Sequence, residues 1–72
     1  MLFEPEGVSF TTYVINQRLA RAHRMLCDPL FDHRSISAIA LAVGFGDISY
    51  FNRTFRRCFG ATPSDVRRQS RQ

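Results

Sequence analysis

Between Ile36 and Arg57 the chain reads ISAIALAVGFGDISYFNRTFRR, and this run limits the fold more than any other feature. A short apolar segment stops at Gly44, turns, and restarts at Asp47 as a segment with two opposed faces. Phe51, Phe55 and Cys58 recur at the spacing of a helical stripe. Ser49, Asn52, Arg53, Arg56 and Arg57 fall on the other side. A helix pinned to a core by aromatic rings while it shows arginines to solvent is suited to an anionic surface. Two helices joined by a glycine-containing turn imply a helix-turn-helix, with the second helix entering the DNA major groove.

Charge points the same way. The formal net charge of the 72 residues is +4, and all ten basic residues are arginine. Arginine presents a planar fork of donors that matches phosphates and guanine edges, which lysine does not. From Met1 to His33 three arginines face four acids (Glu4, Glu6, Asp28, Asp32), a net of −1. From Arg34 to Gln72 seven arginines face two acids (Asp47, Asp65), a net of +5. The basic half is the half with the turn. A high pI alone fits RNA, an anionic membrane or heparin equally well, so charge supports the reading without carrying it.

At this length one small domain is expected, burying about 60% of its unfolded surface. The 44% hydrophobic content supports a packed core rather than disorder. Cys27 and Cys58 sit on apolar stripes, and two buried free thiols are favoured over a disulfide, which needs an oxidising compartment. With His23 and His33 they do not make zinc-finger spacing. Neither histidine has an acid or nucleophile at a meaningful spacing, so no catalytic group and no cofactor are expected. No stretch approaches a membrane span and no signal peptide is visible, which gives a cytoplasmic setting as the expectation.

The periodicity predicts an all-α fold of four helices. Ser9 is a candidate N-cap for a helix over 10–27 with an inward stripe of Ile15, Leu19, Ala22 and Leu26, widened at its start by Phe10, Tyr13 and Val14. Arg18, Arg21 and Arg24 lie off that stripe. Asp28-Pro29 ends the helix, because the residue before proline avoids helical geometry. A loop over 28–34 follows, with Leu30 and Phe31 expected against the core. Ser35 caps a helix over 36–43 that turns Ile36, Ile39, Ala40 and Val43 inward. Gly44 suits a left-handed C-terminal position, and Phe45 can close back on the helix. Asp47 or Ser49 begins a third helix running to Phe59, which Gly60 stops. Thr62-Pro63-Ser64-Asp65 then supplies a cap, a proline in the first turn and an acid near the positive end of a helix over 63–69.

The stretch IALAVGFGDISYFNRTFRRCFGATPSDVR resembles the C-terminal signature of the AraC/XylS family of bacterial transcription regulators. Upstream, FTTYVINQRLARAHRML is similar to the linker helix of that family, with its RL-x-x-A motif. The resemblance covers Gly7 to Arg68. It implies a homeodomain-like helix-turn-helix bundle with a long N-terminal linker helix over 10–28 and a DNA-binding unit over 35–70. Residues 1–9 resemble the last piece of a preceding helix-turn-helix unit, so the chain is expected to be a fragment of a longer regulator or a truncated relative. Ala38 stands where such proteins often carry an acid.

Double-stranded DNA is the implied partner, with RNA polymerase a further partner of a full-length protein. The resemblance puts Arg53 where a base edge is read, and bidentate contact to guanine is its natural chemistry. Ser49 and Asn52 also match base-facing positions, the alternative being plain surface residues. Ile48 is a conflict: helix geometry sets it beside Phe55, whereas the resemblance makes it base-facing. Arg56 and Arg57 suit phosphates, which position the helix without reading sequence. Ser64, at the start of the last helix, can add a phosphate contact through backbone N–H groups, against ordinary capping as the plainer reading. Phe45, Phe51, Phe55 and Phe59 are assigned to the core, Tyr50 to a half-buried position, and Arg67, Arg68 and Arg71 to a solvated tail. The rival reading is a protein-interaction module that self-associates through Leu2, Phe3 and Phe10 without strong DNA affinity.

Overall fold

The structure, a computed structural model, describes residues 10–70. Four α-helices, α1 (Phe10–Cys27), α2 (Ile36–Ala42), α3 (Ile48–Phe59) and α4 (Pro63–Gln69), form the fold, with a 3-10 turn at Pro29–Phe31 between the first two. No strand occurs among the described residues. Ser9, Leu2, Phe3 and Arg71 lie outside them.

Capping side chains set most of the boundaries. The Ser35 hydroxyl accepts from the Ala38 N–H at 3.0 Å. Asp28 accepts from the Leu30 N–H at 3.0 Å and opens the 3-10 turn. Thr62 and Asp65 form a reciprocal capping box, in which the Thr62 hydroxyl accepts from Asp65 N–H at 3.1 Å and the Asp65 carboxylate from Thr62 N–H at 3.4 Å. Each such cap contributes about 1 kcal/mol by satisfying N–H groups that the helix leaves without partners.

The core draws one stripe from every helix: Leu19, Ala22 and Leu26 of α1, Ile39 and Ala40 of α2 with Val43 and Phe45 after it, Phe51 and Phe55 of α3, and Val66 of α4. Helix α1 packs on α2 and α4, and α3 on α2 and α4. An unbroken row of ring contacts runs along the inner side of α3. Phe45 meets Phe51 at 5.1 Å, Phe51 meets Phe55 at 5.6 Å, Phe55 meets Phe59 at 4.6 Å, and Phe59 meets His23 of α1 at 4.7 Å between centroids. The tilted arrangements place ring edges against ring faces, which adds about 0.5–1.5 kcal/mol per pair beyond burial.

Several expected positions differ. Phe10 is 81% exposed and Tyr13 55% exposed, so they do not widen the core stripe. The 18 residues of α1 span about 27 Å whereas the seven of α2 or α4 span about 10 Å, so the first turns of α1 outrun their partners. Leu30 is 77% exposed while Phe31 takes the inward direction, half-buried. Cys27 and Cys58 are free and exposed rather than buried. Phe59 is only partly covered, at 38% exposure, because it closes the aromatic row at the rim. Arg67 is no solvated tail residue: its Nη2 donates to the Phe31 carbonyl at 3.1 Å, tying α4 to the 3-10 turn. Arg68 pairs with Asp65.

Phe51 is fully buried at the centre of the aromatic row. Phe51→Ala is expected to remove about 3–5 kcal/mol, comparable to the whole stability a core of this size supplies. Its far-ultraviolet circular dichroism is expected to show a largely unfolded chain at 25 °C, and retention of a helical spectrum with a cooperative melt would contradict the packing. The Asp65 carboxyl is held below its ordinary value of 3.8, first by the Thr62 hydroxyl, then by the Thr62 backbone N–H and the Arg68 guanidinium. A depressed carboxyl stabilises the fold only while ionised, so its contribution is complete above 3.8 and disappears as pH falls below it. Melting temperatures of the unsubstituted chain and Asp65→Asn are therefore expected to differ at neutral pH and to converge in acid.

Candidate nucleic-acid interface

The turn that delivers α3 is built from backbone geometry. Gly44 adopts φ 106°, in the left-handed region that only glycine occupies without strain. Its N–H donates to the Leu41 carbonyl at 3.1 Å, and the Phe45 N–H donates to the Ala40 carbonyl at 2.9 Å, which together close α2 in a Schellman motif. Phe45 is buried directly after it, so the turn is clamped to the core as soon as it is made. The Asp47 carboxylate then accepts from the Ser49 N–H at 2.9 Å and the Tyr50 N–H at 3.2 Å. Of the two candidate starts for α3, Asp47 is the cap. Gly60, at φ 76°, ends the helix.

Rotation of α3 about its axis is set by Phe51 and Phe55, both fully buried. Buried Thr54 adds to this, its hydroxyl donating to the Tyr50 carbonyl at 2.7 Å rather than to solvent. Ser49, Asn52, Arg53, Arg56 and Arg57 consequently all face outward and are exposed. Residues 49, 53 and 56 follow one line along the helix, with 52 and 57 on either side of it. Ile48 is 38% exposed at the edge of this face, one turn before Asn52, and does not join the core beside Phe55. Tyr50, at the other edge, leans on Phe45 with 5.9 Å between centroids.

The face is electrostatically uncompensated. Among the described residues, the guanidinium groups of Arg53, Arg56 and Arg57 make no hydrogen bond or ion pair. The two acids of this half are otherwise engaged, Asp47 on its own helix start and Asp65 with Thr62 and Arg68. Arg56 and Arg57 lie in the last turn of α3, where the negative end of the helix dipole favours cations without a carboxylate partner. Ser64 is exposed on α4, apart from the α3 face in sequence and beside the Asp65 carboxylate, which opposes an anion there.

Two contacts beside the turn and the rim have no signal in the spacing of the sequence. Arg18 of α1 donates from Nη1 to the Gly44 carbonyl at 3.3 Å, across 26 positions. His23 of α1 lies parallel to Phe55 and tilted against Phe59; its Nδ1 is also 3.9 Å from the Cys27 Sγ, a contact that the spacing of four does foreshadow. Among the described residues no pocket opens, no group of three or more His, Cys, Asp or Glu side chains could hold a metal ion, and no helix is long and apolar enough to cross a membrane. The exposed arginines of α3 gather on the outer face of that helix.

Comparison with known proteins gives the same domain. The model of a helix-turn-helix domain family matches residues 2–69. The transcriptional activator RhrA of Rhizobium meliloti is 48% identical over 66 residues, which cover 92% of this chain and 21% of that protein. The XylDLEGF operon transcriptional activator of Pseudomonas putida is 38% identical over 72 residues, 99% of this chain and 22% of the relative. The HTH-type transcriptional regulator ExsA of Pseudomonas aeruginosa is 41% identical over 61 residues, 85% and 21% respectively. The chain therefore spans about a fifth of the length of these curated relatives. No solved structure matches it. With a four-helix bundle, a glycine turn and an arginine-faced second helix matched along nearly its whole length, the chain belongs to the AraC/XylS-type helix-turn-helix family of transcription regulators.

Proposed function

We propose that the chain is the sequence-specific DNA-binding part of a bacterial transcription regulator and that α3 enters one major-groove segment. The observation that carries this reading is the outward, unpaired arginine face of α3, held in rotation by Phe51 and Phe55. Twelve residues of helix span about 18 Å and face only a few base pairs. In this reading Arg53 takes a guanine edge bidentately, Ser49 and Asn52 hydrogen-bond neighbouring bases, and Ile48 meets a thymine methyl from the edge of the face. Arg56 and Arg57, further along, take phosphates and fix the register. Ser64 is the weakest phosphate candidate because of Asp65.

The same reading makes residues 10–28 a linker helix, 35–70 the DNA-binding unit and 1–9 the remnant of a preceding unit. Contact with RNA polymerase is then a property of the longer regulator. The rival, a self-associating module without strong DNA affinity, draws on Leu2, Phe3 and Phe10, of which Phe10 lies among the described residues and is exposed. It receives less support, since the relatives are named as transcriptional activators and regulators. Sedimentation across concentration separates the two: a stable dimer that does not bind duplex DNA would favour the rival.

With about three arginines at the duplex, log affinity is expected to fall against log salt with a slope of about −3, which is weak single-site binding. Tight, salt-insensitive, sequence-specific binding by this chain alone in a gel-shift titration would contradict that expectation of weak, charge-dominated binding. Arg53→Ala is expected to cost about 1–3 kcal/mol at the preferred site and to relax base preference. Arg56→Ala is expected to weaken all duplexes alike and to reduce the salt slope by about one. Identical behaviour of the two variants would overturn the division of roles.

A further inference from the structure

We infer that Arg18 is a positioning residue for DNA recognition, acting through the Gly44 carbonyl on the turn that aims α3. The inference rests on the DNA-reading role proposed for α3. Arg18 is half-buried on α1, and its Nη1 donates to the Gly44 carbonyl at 3.3 Å. That carbonyl lies just beyond α2, where the terminal carbonyls form the negative end of the helix and favour a cation.

The side chain does more than touch the turn. A Cβ added at Gly44 would lie 3.0 Å from the Arg18 Nε, 3.1 Å from its Cζ and 3.3 Å from its Cδ. Gly44 thus meets two separate requirements, a backbone at φ 106° and room for a guanidinium laid against it. By contrast, nothing lies within 4 Å of a Cβ built at Gly46, so the chain just before Asp47 is open on that side. The turn is gripped at Phe45 from the core and at Gly44 from α1.

Helix α1 also holds the far end of α3, where His23 stacks on Phe55 and packs tilted against Phe59. One grip on the turn before α3 and one near its far end constrain its tilt, while Phe51 and Phe55 set its rotation. Tilt decides whether Ser49 and Arg53 reach base edges together, because directional hydrogen bonds weaken steeply with misalignment. Contacts to phosphates tolerate a changed tilt far better, since they are distributed along the backbone and dominated by charge. Loosening the Arg18 grip is therefore expected to erode discrimination between sequences more than bulk affinity for duplex DNA.

The test uses the 72-residue chain and its R18M and R18K variants, titrated by fluorescence anisotropy. One probe is a duplex enriched by the unsubstituted chain from a random-sequence pool, and the other is poly(dI-dC). R18M keeps an apolar stem without a donor and is expected to reduce the preference for the enriched duplex by about tenfold, the scale of one hydrogen bond from a charged donor. Its affinity for poly(dI-dC) is expected to stay within about twofold, the mark of an intact electrostatic contribution. R18K retains a donor and is expected to recover part of the preference. An unchanged preference in folded R18M, or equal losses on both probes, would overturn the inference. Should R18M not fold, amide chemical shifts of R18K decide: movement at Gly44, Phe45 and Ser49 supports the brace, and changes confined to α1 overturn it. Failure of the unsubstituted chain to enrich any duplex would instead count against the DNA role of α3, whatever the amide shifts show.

Discussion

The burial of Phe51 and Phe55 is the constraint on which the other features of this domain depend. Two rings four residues apart on a helix leave one rotation about its axis at which both are out of water. At that rotation Ser49, Arg53 and Arg56 point away from the core, without any polar contact having to place them. The hydrophobic effect has no direction of its own, but applied to a periodic stripe it orients the opposite face. Thr54 reinforces the choice, its hydroxyl satisfied by the Tyr50 carbonyl so that it can lie inside.

Charge distribution follows from the same division. An arginine face with no internal carboxylate is self-repelling, and a small domain has little stability with which to offset that. The last-turn location of Arg56 and Arg57 eases the repulsion through the helix dipole. Asp47 and Asp65, the acids nearest in sequence, are occupied as helix caps. Acids used for capping stabilise the helices while leaving the guanidinium groups unneutralised. A fold that instead paired those arginines internally would present a neutral surface to a nucleic acid.

Contacts between helices divide into those that make the core and those that aim α3. Leu19, Leu26 and Ile39 belong to the first kind, filling volume wherever α3 points. The Arg18–Gly44 bond and the His23 ring contact belong to the second, because they touch the turn before α3 and the far end of α3. Arg67, bonded to the Phe31 carbonyl, plays the corresponding part for α4 and the 3-10 turn.

Much of this was legible in the residues alone, because caps, glycines and helical stripes are local. Ser35, Asp47, Gly60 and the Thr62–Asp65 box act within four residues of themselves, so the helix boundaries and the outward arginine face follow from the sequence. What periodicity cannot report is how far a neighbouring helix extends. Phe10 and Tyr13 lie on the flank of an inward stripe, yet they are exposed, because the packed partners end before reaching them; Cys58 is exposed although Phe59, the next residue, still reaches His23. Nor can it report a bond between residues 26 or 36 positions apart, as for Arg18 and Arg67. Local chemistry determined which elements form and which faces they show; the tertiary structure alone decided which ends stay bare and which arginines brace the fold, since both depend on where separate helices stop in space.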